Sequence, residues 1–228
     1  MEIKSGKDIA KVKSHLLIIG KPKKGKTAML GTVANHEKLF IISLEKGLTT
    51  LTGGDFDYVE CGDYDAFREA LNWYMTNYKE KGYTALGIDS ITRAQSYLIA
   101  KLLGPAKPDG KPRKLDFDGY AEMLATMRKL LDVLTKAEDF VTVMIAHEED
   151  KDDSKNTSNW PLLDGTIKYE ISGYFDTVLV CENGLDKTGN LSYFARIQGN
   201  EKCIAGTRLK HLANIKAIAN DYKFLLTN

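Results

Sequence analysis

The sequence predicts an α/β domain with a mainly parallel central sheet, helices on both faces and a β-hairpin at the sheet edge. Three observations predict it. Short apolar runs recur along the chain, as strands buried on both faces do. Between them lie segments with apolar residues every three or four positions, the pattern of helices that cover a sheet. Near the end, two strand-like runs flank a polar turn.

The elements follow in order. Residues 15–20 (HLLIIG) read as a buried strand, followed by a loop of glycine and lysine and a helix from about residue 26. Residues 39–44 (LFIISL) are a second buried strand, and 58–61 a short third. Phe67, Ala70, Leu71, Tyr74 and Tyr78 mark an amphipathic helix over 64–81. Residues 84–89 (TALGID) form a strand, and Ile91, Ala94, Leu98 and Leu102 the next helical face. The stretch 104–118 holds three prolines and two glycines and reads as a loop. Leu124, Met127, Leu131 and Leu134 predict a helix over 119–137, followed by a strand at 140–146 (FVTVMIA). A polar loop spans 148–165. Strands at 176–181 and 191–197 then form the hairpin around NGLDKTGN, with a helix expected over 209–220. Both long loops exceed what a compact domain usually carries, and such loops are often functional.

The composition excludes several classes. The chain has 228 residues and a formal net charge of +1, so one domain is expected, with its core over about 14–210. No global charge draws it to nucleic acid or membrane. Cys61, Cys181 and Cys203 lie far apart without metal-ligand spacing, which fits a reducing compartment. The first residues are too polar for a signal peptide, and no apolar run approaches the roughly 18 residues that span a bilayer. A cytoplasmic protein without membrane contact is expected.

The strongest motif is Gly20-Lys21-Pro22-Lys23-Lys24-Gly25-Lys26-Thr27, a full match to G-x-x-x-x-G-K-[ST]. Glycines let the backbone curl so that its N–H groups face phosphate oxygens. Lys26 brings positive charge to the β- and γ-phosphates, and Thr27 a hydroxyl to Mg²⁺. The helix beginning around Lys26 and Ala28 presents its N-terminus to the anion. A buried strand before the loop and a helix after it supply the required context.

Three strand ends add candidates. Asp89 closes TALGID, where P-loop enzymes keep a carboxylate for Mg²⁺; Ser90 would cap the next helix. Glu45 follows FIISL and could activate a water; the alternative is a surface glutamate. His147 ends FVTVMIAH and could contact the γ-phosphate, although a lone histidine is more often structural.

Taken together, GKPKKGKT, FIISLEKGLTTL, ALGIDSIT and VTVMIAHEE resemble the RecA-like ATPase cores, and among them the small phage-type single-strand annealing and recombination ATPases. The resemblance covers about 14–210. It implies an ATP- and Mg²⁺-dependent ATPase stimulated by single-stranded DNA. It implies a homo-oligomer with nucleotide at subunit boundaries, and a single-strand-binding protein as a further partner. Glu45 would be the base, Lys26 and Thr27 the triphosphate and metal ligands, Asp89 the second metal-site residue and His147 the switch. Arg208 would be the finger acting across a subunit boundary, with Lys202 and Arg196 behind it. Loops 104–118 and 148–165 would contact DNA.

The residues themselves support DNA contact unevenly. Lys107, Lys111, Arg113 and Lys114 make a basic patch in the first loop, which could equally be a solvated loop. Trp160 could stack on a base or anchor the second loop on the core. Glu148, Glu149, Asp150, Asp152 and Asp153 would repel a phosphate backbone. A partner-driven motor of the helicase-loader or packaging type, or a nucleotide-gated assembly module, remains the alternative.

Overall fold

The structure is a computed structural model that describes residues 14–105, 113–149, 159–200 and 203–226. A nine-stranded sheet runs in the order β3-β2-β4-β5-β1-β6-β7-β9, with β8 also beside β6. Its parallel part is β1 (Leu16–Gly20), β2 (Leu39–Ser43), β3 (Asp57–Glu60), β4 (Ala85–Asp89), β5 (Val141–His147) and β6 (Thr177–Leu185). The antiparallel part adds β7 (Leu191–Arg196), β8 (Gly206–Thr207) and β9 (Ala217–Ala219). Strands β1, β2 and β4 are buried along their whole length, as their unbroken apolar runs require.

Helices cover both faces. Helix α1 (Lys26–Gly31), extended by a 3₁₀ turn at Thr32–Asn35, packs Met29 and Leu30 against Leu16, Ile18, Ile41 and Ile145. Helices α2 (Tyr64–Lys81), α3 (Ile91–Leu103), α4 (Phe117–Thr135) and the short α5 (Ile167–Glu170) cover the other face. There Phe67, Tyr74, Leu98, Met127 and Leu131 meet Leu17, Phe40, Ile88 and Met144. Capping sets the helix starts: Asp63, Ser90 and Asp116 each accept a backbone N–H of the first turn. Each cap is worth about 1 kcal/mol.

Two sequence expectations change. Residues 209–220 do not form a helix. A 3₁₀ turn at Lys210–Leu212 leads to β9, which pairs antiparallel with β7 through Phe194–Ala219, Ala195–Ile218 and Arg196–Ala217. An open β7 edge offers unpaired N–H and C=O groups, and pairing satisfies more of them than a detached helix could. The β6–β7 hairpin is therefore not the last element at its edge. Its turn also narrows: β6 runs to Leu185, and Asp186 closes the turn by accepting the N–H groups of Thr188 and Asn190.

The topology positions the site. β5 lies between β1 and β4, and β2 beyond β4. All four end at the same carboxyl edge, where ligands bind in open α/β sheets. The residues at or just past those ends are Gly20, His147, Asp89 and Glu45. Among the described residues no helix is long and apolar enough to cross a membrane.

Candidate active site

The phosphate loop turns sharply between β1 and α1. Gly25 lies in the left-handed region at φ 87°, where a side chain would be strained. At Gly20 the constraint is space, because an added Cβ would stand 2.9 Å from the Cys181 carbonyl oxygen. Lys21, Pro22 and Lys23 make the outer curve, with Lys23 also at positive φ. The Lys24 ammonium donates to Asn183 Oδ1.

Lys26 is 7% exposed, and its Nζ donates to the Lys21 carbonyl at 2.9 Å across the loop. Burial lowers its pKa, opposed by the negative charges of Asp89, Glu45 and Glu148. Thr27 Oγ1 donates to Asp89 Oδ2 at 2.9 Å. Asp89 is 5% exposed. Burial raises its pKa, and the charge of nearby Glu45 adds to that, against the Thr27 hydrogen bond and Lys26. A site that raises a carboxylate's pKa this way gains from a cation beside it.

Glu45 stands beyond β2, and its carboxylate is held from two strands. With the proton on Nε2, His147 donates to Oε1 at 2.7 Å and Oε2 at 2.9 Å. Ser90 donates to Oε1 while its own oxygen caps α3. Burial pushes the Glu45 pKa up, but the bonds from His147 and Ser90 outweigh it and hold the carboxyl below its usual range. His147 is fixed in turn: its backbone N–H donates to Thr92 Oγ1 at 3.0 Å. Its carbonyl accepts the Leu162 N–H at 2.7 Å, closing the base of the second loop.

These residues fit a nucleoside triphosphate with magnesium. The loop is a cradle that side chains at Gly20 and Gly25 would fill or strain, with a buried ammonium at its base. Thr27 and Asp89 offer hard oxygen donors side by side. Among the described residues no cluster of three or more His, Cys, Asp or Glu could hold a metal by itself. A magnesium ion would take its remaining ligands from phosphate and water, as it usually does.

The other candidates separate from this centre. Arg208 follows β8, which pairs with the start of β6, at the opposite end of the sheet from the phosphate loop. It donates to the Gly173 carbonyl at 2.9 Å and pairs with Asp176 at 3.4 Å, so it takes no part in its own chain's centre. Arg196 forms a two-pronged pair with Glu182. Lys202 lies outside the described residues, as do Lys107, Lys111, Asp150, Asp152 and Asp153. Arg113 donates to the Leu103 carbonyl at 2.8 Å, which satisfies a carbonyl at the end of α3. Lys114 is exposed. Trp160 packs edge-on against Tyr169, with centroids 5.0 Å apart, and so anchors its end of the second loop.

Sequence reasoning missed a second group. Asn220 donates to the Gly25 carbonyl at 2.9 Å and accepts from the Cys181 thiol. Tyr193 lies directly across the hairpin from Asn183 and against Gly25. No motif marks these residues; only the pairing of β6, β7 and β9 brings them to the loop.

A strand, phosphate loop and helix on a sheet of this order, with carboxylates at neighbouring strand ends, define a P-loop ATPase with a RecA-like core. The chain belongs to the AAA domain family AAA_24, which matches residues 13–209. It also resembles the crystal structure of the flagellar accessory protein FlaH from Methanocaldococcus jannaschii, at 12% identity. That match covers 91% of this chain and 89% of FlaH, with a TM-score of 0.41. No curated protein matches the chain.

Proposed function

We propose that this chain hydrolyses ATP with Mg²⁺ and couples the reaction to single-stranded DNA, in recombination or strand annealing of the phage type. The observation that carries the reading is the Glu45–His147 contact. Glu45 is near enough for its charge to act on Lys26 and Asp89, and its partner His147 also holds Leu162 at the base of the second loop.

In this reading each residue of the site has a role. The loop N–H groups and Lys26 hold the triphosphate, and Thr27 and Asp89 would hold magnesium. When bound, that ion neutralises charge on the β- and γ-phosphates. Glu45 accepts a proton from the attacking water. Oε2 is the oxygen better placed to do so, because Oε1 already accepts from both His147 and Ser90. With a lowered pKa, Glu45 is ionised at neutral pH and so able to accept a proton. His147 keeps it oriented and carries any shift of the carboxylate to the second loop.

Loop positions support the DNA reading. Lys101, near the end of α3, pairs with Asp65 in the first turn of α2. That turn follows β3, so the first loop leaves from the carboxyl edge, as the second does from His147. Arg208 would act as a finger only on a neighbouring subunit's nucleotide, which requires a homo-oligomer. One observation favours a second reading, a partner-driven motor or assembly module. The second loop opens with Glu148 and Glu149, which are tied to Asn159 and Lys168 and offer no cation to a phosphate backbone.

Steady-state ATP hydrolysis with and without single-stranded DNA separates the two. The DNA reading expects stimulation that Lys26→Ala abolishes. Hydrolysis indifferent to DNA would refute it and favour the partner-driven reading.

A further inference from the structure

We propose that the ring of Tyr193 is the platform on which the nucleobase of the bound triphosphate rests, on the β6–β7 side of the phosphate loop. This rests on the nucleotide-binding reading above and adds the residue that distinguishes a nucleotide from a bare phosphate chain.

Direction comes first. A nucleoside triphosphate carries its γ-phosphate at one end and its base at the other. Thr27, Asp89, Glu45 and His147 all lie on the β5–β4–β2 side of β1. With the γ-phosphate toward them and the middle phosphate in the loop, the sugar and base extend the other way. That side of β1 is occupied by β6, β7 and β9.

A surface of the right chemistry waits there. Beyond the Ile19–Val180 pairing, β6 continues to Leu185, so the hairpin rises past the level of the phosphate loop. Asn183 and Tyr193 stand opposite each other on it. A Cβ on Gly25 would come within 3.0 Å of Tyr193 Cδ1, which puts the ring in contact with the loop. Yet Tyr193 is 40% exposed, so part of the ring remains open to a ligand. Asn183 and Asn220 border it with side-chain amides that already brace the loop through Lys24 and Gly25. An open aromatic face with a few polar groups beside it is what a planar base stacks on.

Mg·ATP and ribose 5′-triphosphate, which keeps the sugar and phosphates but lacks the base, test this directly. Their affinities would be measured by calorimetry on the full chain, Tyr193→Phe and Tyr193→Leu. The leucine variant keeps apolar bulk over Gly25 and removes the ring. Expected is about tenfold weaker ATP binding in Tyr193→Leu, with ribose 5′-triphosphate within about twofold and Tyr193→Phe close to the unmodified chain. Unchanged ATP affinity in Tyr193→Leu would overturn the proposal. So would an equal loss for both ligands, which would mean that the ring only props the loop. An unmodified chain that binds neither ligand would overturn the nucleotide reading itself, an outcome distinct from both.

Discussion

The two sides of the phosphate loop are built differently. On the β5–β4–β2 side, Asp89, Glu45 and His147 come from the ends of three parallel strands; Glu45 and His147 bind each other, and Asp89 accepts from Thr27. On the β6–β7–β9 side, Asn183, Tyr193 and Asn220 come from an antiparallel edge, and their contacts run to the loop backbone and Lys24. The first side concentrates charge where γ-phosphate chemistry would occur. The second holds the loop in shape with neutral groups. Charge and support are thus divided by the strand that carries the loop, and substitutions on the two sides should fail in different ways.

The largest effect is expected at the loop itself, where the two sides meet. Lys26→Ala removes the buried ammonium, and ATP affinity should fall at least about a hundredfold. Titration calorimetry would read it, and a loss under about threefold would mean that charge does not dominate this site. A smaller effect is expected on the supporting side. Asn220→Ala leaves the Gly25 carbonyl without its amide partner, a net cost of about 1 kcal/mol. Nucleotide affinity should weaken by about fivefold, with hydrolysis of bound ATP little changed. A collapse of hydrolysis in Asn220→Ala with binding intact would erase the distinction between the two sides.

The two sides also differed in how far the sequence revealed them. Gly20, Gly25, Lys26 and Thr27 sit in one contiguous motif whose spacing reflects the shape of a phosphate. Asp89, Glu45 and His147 each close an apolar strand, so periodicity located them and topology only had to bring the strand ends together. Buried strands and the helix at Tyr64–Lys81 were legible for the same reason, since burial imposes period and run length. Asn183, Tyr193 and Asn220 had no such mark. Their position depends on which strands pair at the edge, and β9 falls within 209–220, where a helix is expected from the sequence but the chain pairs with β7 instead. Arg113 and Trp160 show the limit of composition: the one donates to the Leu103 carbonyl and the other packs on Tyr169, contacts that no count of basic or aromatic residues reveals.

If Glu45 activates the attacking water, the site binds ATP without its help. Single-turnover hydrolysis of Mg·ATP by Glu45→Gln, beside its ATP affinity, tests that most directly. The substitution keeps the size of the side chain and its capacity to hydrogen-bond His147 and Ser90, but removes the basic oxygen. Affinity should stay within about threefold of the unmodified chain, and hydrolysis should slow at least about a hundredfold. Hydrolysis at the unmodified rate would contradict it and leave Glu45 as a ligand of His147 alone.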